Sequence, residues 1–161
     1  MFCKLGYLTI IINIVAIPIA FLYANFLEWF IHKYILHGLG RRKNSFWSFH
    51  WHEHHKACRK NNNIDSAYEN PLQHVSLWKE KVGLLALLLL HVPLLFVVPA
   101  FFMTLVYCLY NYLRVHRKSH LNPEWAKENV PWHYEHHMGK DQDANWGVTR
   151  DWFDRFFGTK K

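Results

Sequence analysis

The sequence predicts an all-α integral membrane helical bundle: one N-terminal span, one helical hairpin and a cytosolic, His-rich helical cap. Three observations predict it. Two long stretches carry no charged residue, nearly all basic residues can lie on one side of the membrane, and 13 histidines in 161 residues gather beside the ends of the apolar stretches. Hydrophobic residues make up 51% and charged residues only 19%, a balance that excludes a disordered chain and argues against an ordinary soluble domain. The length suits one domain over residues 1–161. The cysteines (Cys3, Cys58 and Cys108) are odd in number and widely spaced, so they offer neither a disulfide framework nor a thiolate zinc motif. Any metal chemistry is therefore imidazole chemistry.

The first stretch, Leu5 to Leu27, is uncharged and as a helix would measure about 35 Å, enough for a hydrocarbon core of roughly 30 Å. A cleaved signal peptide fits poorly: only Lys4 is basic, no small-residue cleavage site follows, and apolar residues continue to Leu36. The expected first span is 5–27. The second stretch, Val82 to Leu113, is also uncharged and would reach about 48 Å as one helix, more than a single crossing needs. Pro93 and Pro99 interrupt it. Two antiparallel helices, at about 82–96 and 99–113, fit better, extended outside the membrane from about Pro71 and to about His120. Of the 19 Lys and Arg, only Lys4 precedes the first span, and none falls within Val82–Leu113. The hairpin thus puts all the rest on one side, the cytosolic face expected of positive charge. That face belongs to the inner membrane in a bacterium or the endoplasmic reticulum in a eukaryote. The cap comprises 28–81 and 114–161, with polar turns at Arg41–Ser45 and Arg59–Asn70 and helix starts at Asn122-Pro123 and Val130-Pro131. A formal charge of +7 suits an anionic lipid surface; nucleic acid is not expected as a partner, because the aromatics belong to membrane-adjacent helices.

Eleven histidines fall into four clusters: His32 and His37; His50, His52, His54 and His55; His116 and His120; His133, His136 and His137. In the hairpin topology all four lie on one side, so one site can draw on them all. At about 100° per residue, His133, His136 and His137 share a helix face, and His116 and His120 are one turn apart. His50, His54 and His55 cover roughly 140°, wide enough for two neighbouring metals, whereas His52 points away. His32 and His37 also differ by about 140°, which places them on two sides of a metal pair. His74 and His91 stand apart and read as solvated or hydrogen-bonded residues. Imidazole suits zinc, copper, iron or nickel. Ten such ligands exceed a tetrahedral zinc site and match two metals.

At these residues the sequence resembles the fatty acid hydroxylase/sterol desaturase superfamily of membrane non-haem di-iron oxygenases. The first motif, His-Lys-Tyr-Ile-Leu-His-Gly at 32–38, is similar to that of bacterial carotenoid hydroxylases. His116-Arg-Lys-Ser-His120 is similar to the third motif of fatty acid 2-hydroxylases, and His133-Tyr-Glu-His-His137 to the superfamily's last motif. Asp143-Ala-Asn-Trp-Gly147 and Trp152-Phe-Asp-Arg-Phe-Phe-Gly-Thr159 resemble its C-terminal signature. The second motif departs from the usual His, two residues, His-His: Trp51 lies between His50 and His52. His50 is the ligand favoured by the helical arc, with His52 the alternative.

The resemblance implies two iron ions, with zinc as a possible substitute, and ten ligands: His32, His37, His50, His54, His55, His116, His120, His133, His136 and His137. It implies oxidation of an unactivated C–H bond of a lipid-soluble substrate (fatty acyl, sterol, sphingolipid or carotenoid), giving an alcohol, or an alkene if a second hydrogen leaves. Candidates to orient the imidazoles are Glu28, Glu53, Glu135, Asp141 and Asp143, and Asn145 could hold a metal-bound water. A substrate entering from the bilayer would meet residues such as Phe26, Phe30 and Tyr107. No nucleotide, haem or flavin motif is visible, so a separate reductase or small electron carrier is expected on the basic cytosolic face. Other readings are a desaturase on the same centre, a non-enzymatic membrane metal-binding or transport protein, and an inactive scaffold. Transport favours ligands within the spans, where only His91 lies.

Overall fold

The computed structural model describes residues 2–71 and 73–161. Every regular element among them is helical: α1 (Phe2–Phe30), α2 (Lys56–Lys60), α3 (Val75–Leu90), α4 (Pro93–Val97), α5 (Pro99–Leu121), α6 (Pro123–Asn129), α7 (Pro131–Met138) and α8 (Trp152–Phe156). Two segments are wound as wide π-helix, Ile31–Leu39 directly after α1 and His50–His55 directly before α2, and a 3₁₀ turn occupies Ser66–Tyr68. Four of the prolines open helices, and Pro18 lies within α1. Pro93, Pro99, Pro123 and Pro131 each sit in the first turn, where the missing N–H is no loss. Asn122 caps α6 by accepting from the Trp125 amide.

α1 packs mainly against α5, and the two run in the same direction. Asn13 Oδ1 accepts from the Ala100 amide at 3.0 Å, and eight residues further along α1, Phe21 meets Tyr107 edge-on. α3 runs the opposite way: Glu80 at its start reaches His116 near the end of α5, and His91 just past its end bonds Tyr23 of α1. The C-terminal ends of α1 and α5 and the start of α3 therefore converge at one end of the bundle. Two stretches, Gly6–Leu39 and Val75–Val97, are long and apolar enough to cross a membrane. Ile10, Ile14, Leu89, Leu90 and Phe96 are each more than half exposed, an apolar surface that water does not tolerate over such a length.

The remaining elements close over the histidine end. Val115, Ala126, Val130 and Val148 form a small buried cluster tying α5, α6 and the C-terminal loop. That loop is fixed by Asp154, which is fully buried and accepts from the amides of Trp146 at 2.8 Å and Gly147 at 2.7 Å and from the Thr159 hydroxyl at 2.7 Å.

Candidate metal centre

The π-helical winding decides how the first two histidine clusters are arranged. His32 and His37 are five residues apart, as are His50 and His55. An α-helix would splay such a pair by about 140°, but a π-helix, with roughly 4.4 residues per turn, brings it within about 50°. The rings of His32 and His37 are 5.1 Å apart. Together with His50, His55 and His136 they form a group whose ligand atoms all lie within 4.8 Å of one another, each residue buried. Here the sequence expectation is corrected: His32 and His37 join one group instead of flanking a pair of metals, because the segment is not α-helical.

A second group forms beside the first. His116, His120, His133 and His137 meet within the same 4.8 Å limit, and His54 joins His120 and His137, with Cys58, in an overlapping set. His54 and His55, adjacent in sequence, thus serve different groups, as do His136 and His137. The two groups touch, since the His55 and His137 ring centroids are 4.2 Å apart.

Each group contains imidazoles whose Nδ1–H has a fixed acceptor. His32 donates to the Trp146 carbonyl and His136 to the Ala144 carbonyl, both at 2.7 Å. His54 donates to Asp65 Oδ2 at 2.8 Å, His116 to Glu80 Oε1 at 3.0 Å and His120 to the Asn63 carbonyl at 3.1 Å. A proton on Nδ1 leaves the lone pair on Nε2, and these Nε2 atoms face inward. His136 Nε2 lies 3.1 Å from His37 Nε2 and 3.2 Å from His55 Nε2. His54 Nε2, His116 Nε2 and both ring nitrogens of His137 are buried without any hydrogen-bond partner. Converging lone pairs and orphaned buried nitrogens are costly in a closed protein and are what a bound cation resolves. The histidine groups could hold metal.

Burial disfavours the charged form of several of these imidazoles. Burial, assisted by the charge of neighbouring rings, holds His55, His120, His133 and His137 well below the usual histidine range. Burial pulls His136 down to about 4 despite its bond to the Ala144 carbonyl. Asp65 is the counterpart: burial works against its charge, but the His54 hydrogen bond and proximity outweigh it and the carboxyl stays below its ordinary value. Burial pushes the Cys58 thiol up; its Sγ lies 3.3 Å from His120 Nδ1.

A cavity of about 520 Å³ opens from the histidine end, between α1, α3 and α5. His32, His50, His54 and His116 form its inner wall, and Leu27, Ile31, Leu84, Leu87, Leu105 and Leu109 line its length down to His91. The fatty acid hydroxylase family model matches residues 17–159, a span that contains both histidine groups. The chain belongs to this family. No curated protein and no solved structure matches it.

Within the family's matched span, several sequence expectations meet a different structure. Asn145 is tied to the backbone of Lys161, donating to its carbonyl and accepting from its amide, so its side chain is committed outside both histidine groups. His52 bonds the Arg41 carbonyl and belongs to neither group. Glu53 and Glu135 face solvent. Glu28 binds Thr149 and the Val148 amide, and Asp141 binds Lys161. Asp143 forms a two-pronged pair with Arg41 at 2.6 and 2.7 Å and comes no nearer His37 Nδ1 than 3.7 Å. Phe26 packs on Trp29 and Phe153, and Phe30 and Tyr107 are exposed, so none of the three lines the cavity. The carboxylates that do orient histidines, Asp65 and Glu80, escaped the sequence reading. Glu80 sits between two lysines at the head of an apolar run, where it resembles an interfacial charge. Asp65 lies in an Asn-rich turn and also caps the 66–68 turn through Ala67. His74 is exposed, and His91 is hydrogen-bonded to Leu87 and Tyr23, as expected of residues outside the site.

Proposed function

We propose that the protein is a membrane di-iron oxygenase that hydroxylates an unactivated C–H bond of a lipid-soluble substrate. The observation that carries this reading is the placement of ten buried imidazoles, in two touching groups, at the head of an apolar cavity within a membrane-type bundle. The bound irons supply the reduction of dioxygen and the removal of hydrogen from carbon. His32, His37, His50, His55 and His136 hold one iron; His54, His116, His120, His133 and His137 hold the other. The leucine-lined wall binds the substrate and excludes water. Glu80 accepts from Tyr68 at 3.1 Å and Tyr112 at 3.4 Å in the cavity wall, which fixes its carboxylate beside His116.

In this reading the chain crosses the membrane three times, through α1, through α3 with α4, and through α5, with the histidines on the cytosolic face. Arg42, Lys43, Lys56 and Lys60 are exposed beside the histidine segments and give an acidic electron carrier a complementary surface. The experiment is product analysis of membranes expressing the protein with candidate lipids, a reductase and oxygen. A hydroxylated lipid that disappears with His136→Ala supports the proposal. Turnover by purified protein with oxygen and lipid alone would remove the electron carrier from it. Formation of an alkene in place of the alcohol would make it a desaturase.

A further inference from the structure

The acceptors behind the two histidine groups differ in charge. Behind His54 stands Asp65, only 10% exposed, and behind His116 stands Glu80, 11% exposed. Glu80 is anchored further by Tyr68 and Tyr112. Both carboxylates serve the group completed by His120, His133 and His137. The other group has no such support. His32 and His136 rest on the neutral carbonyls of Trp146 and Ala144, and beside His55 Nδ1, at 3.2 Å, stands only the uncharged side-chain amide of Gln142. The nearest carboxylate, Asp143, stands 3.7 Å from His37, is 52% exposed and is already paired with Arg41. Its charge is neutralised and screened by water. A carboxylate behind an imidazole raises the basicity of the ligand nitrogen and fixes the ring, and a buried negative charge attracts a nearby cation more strongly than a carbonyl dipole does.

From this asymmetry we infer that Asp65 and Glu80 are positioning residues that make the two metal positions unequal, the one bounded by His54, His116, His120, His133 and His137 holding its ion the more tightly. The inference rests on the two-metal reading proposed above. Its test is iron content per chain, in detergent, against rising chelator concentration, with Mössbauer spectra at each stage. The unaltered protein should lose its irons in two steps separated by at least ~10-fold in chelator, one spectral component leaving before the other. His136→Ala should remove the weaker step. Asp65→Asn and Glu80→Gln each retain an oxygen that can accept the Nδ1–H but discard the charge. They should weaken the stronger step by about 10- to 100-fold and leave the weaker component's spectrum unchanged. Loss of both irons in a single step from the unaltered protein, or weakening of the other component in the variants, would overturn the inference while leaving two-iron binding intact. Fewer than two irons in the unaltered protein would overturn the two-metal reading and the inference with it. The unaltered protein's own release curve decides the matter even if a variant fails to fold.

Discussion

At the scale of single residues, what separates a ligand from a bystander is where the second ring nitrogen goes. His136 gives its Nδ1–H to the Ala144 carbonyl and turns Nε2 toward His37 and His55; His52, two residues from His50, gives its ring to the Arg41 carbonyl outside both groups. His136→Ala should therefore lower bound metal and abolish turnover while membrane insertion persists, whereas His52→Ala should leave metal content within about twofold of the unaltered protein; elemental analysis of both variants checks this. The histidines were legible in the sequence because they recur beside apolar runs. Their carboxylate partners were not, because pairing His54 with Asp65 or His116 with Glu80 depends on tertiary packing, and the acidic residues inside the motifs, Glu53 and Glu135, face solvent. The pH response also belongs to this scale. The usual histidine pKa is near 6.5, and in the fold His136 is held at about 4, so the unfolded chain binds more protons between those values. The contribution is present above pH 6.5 and is lost progressively as the pH falls toward 4. Melting temperature of the metal-free protein should drop across that window and change little from pH 7 to 8.

At the scale of elements, the winding of two short segments and the pinning of one loop build the centre. The five-residue spacings of His32 to His37 and His50 to His55 were plain in the sequence, but their faces were misassigned because α-helical geometry was assumed; nothing in a five-residue spacing distinguishes π from α winding. The extra residue between His50 and His54 that departs from the usual motif is accommodated by the same wide turn. Helix starts at Pro123 and Pro131 were legible, since proline and the Asn122 cap act locally. The C-terminal loop supplies the carbonyls of Trp146 and Ala144, and Asp154 holds it by two amides and a hydroxyl. Asp154→Ala leaves buried amides unpaired and should destabilise the fold by on the order of 3 kcal/mol, read as a lowered midpoint of unfolding together with loss of metal. Gly147→Ala should do likewise, because a Cβ there would lie 2.0 Å from the Arg150 carbonyl oxygen.

At the scale of the whole molecule, the apolar helices and the histidine cap form one object: α1 and α5 run side by side in the same direction, α3 runs back the opposite way, and the site forms where their ends meet. Apolar length and charge placement made the bundle legible, while the cavity was not, since its leucines come from three separate helices and the aromatics expected to line it pack elsewhere. The proposed three-crossing topology predicts that single cysteines at Lys43 and Lys140, in a chain otherwise free of cysteine, are labelled by a membrane-impermeant thiol reagent from the cytosolic side only. A cysteine at Val98, the residue between α4 and α5, should be labelled from the opposite side. The central claim is that two touching groups of buried imidazoles hold two irons. Elemental analysis of detergent-purified protein, expressed with ample iron and reconstituted with iron if zinc is found, tests it most directly. The account predicts two irons per chain; one metal or none in a well-folded preparation would contradict it.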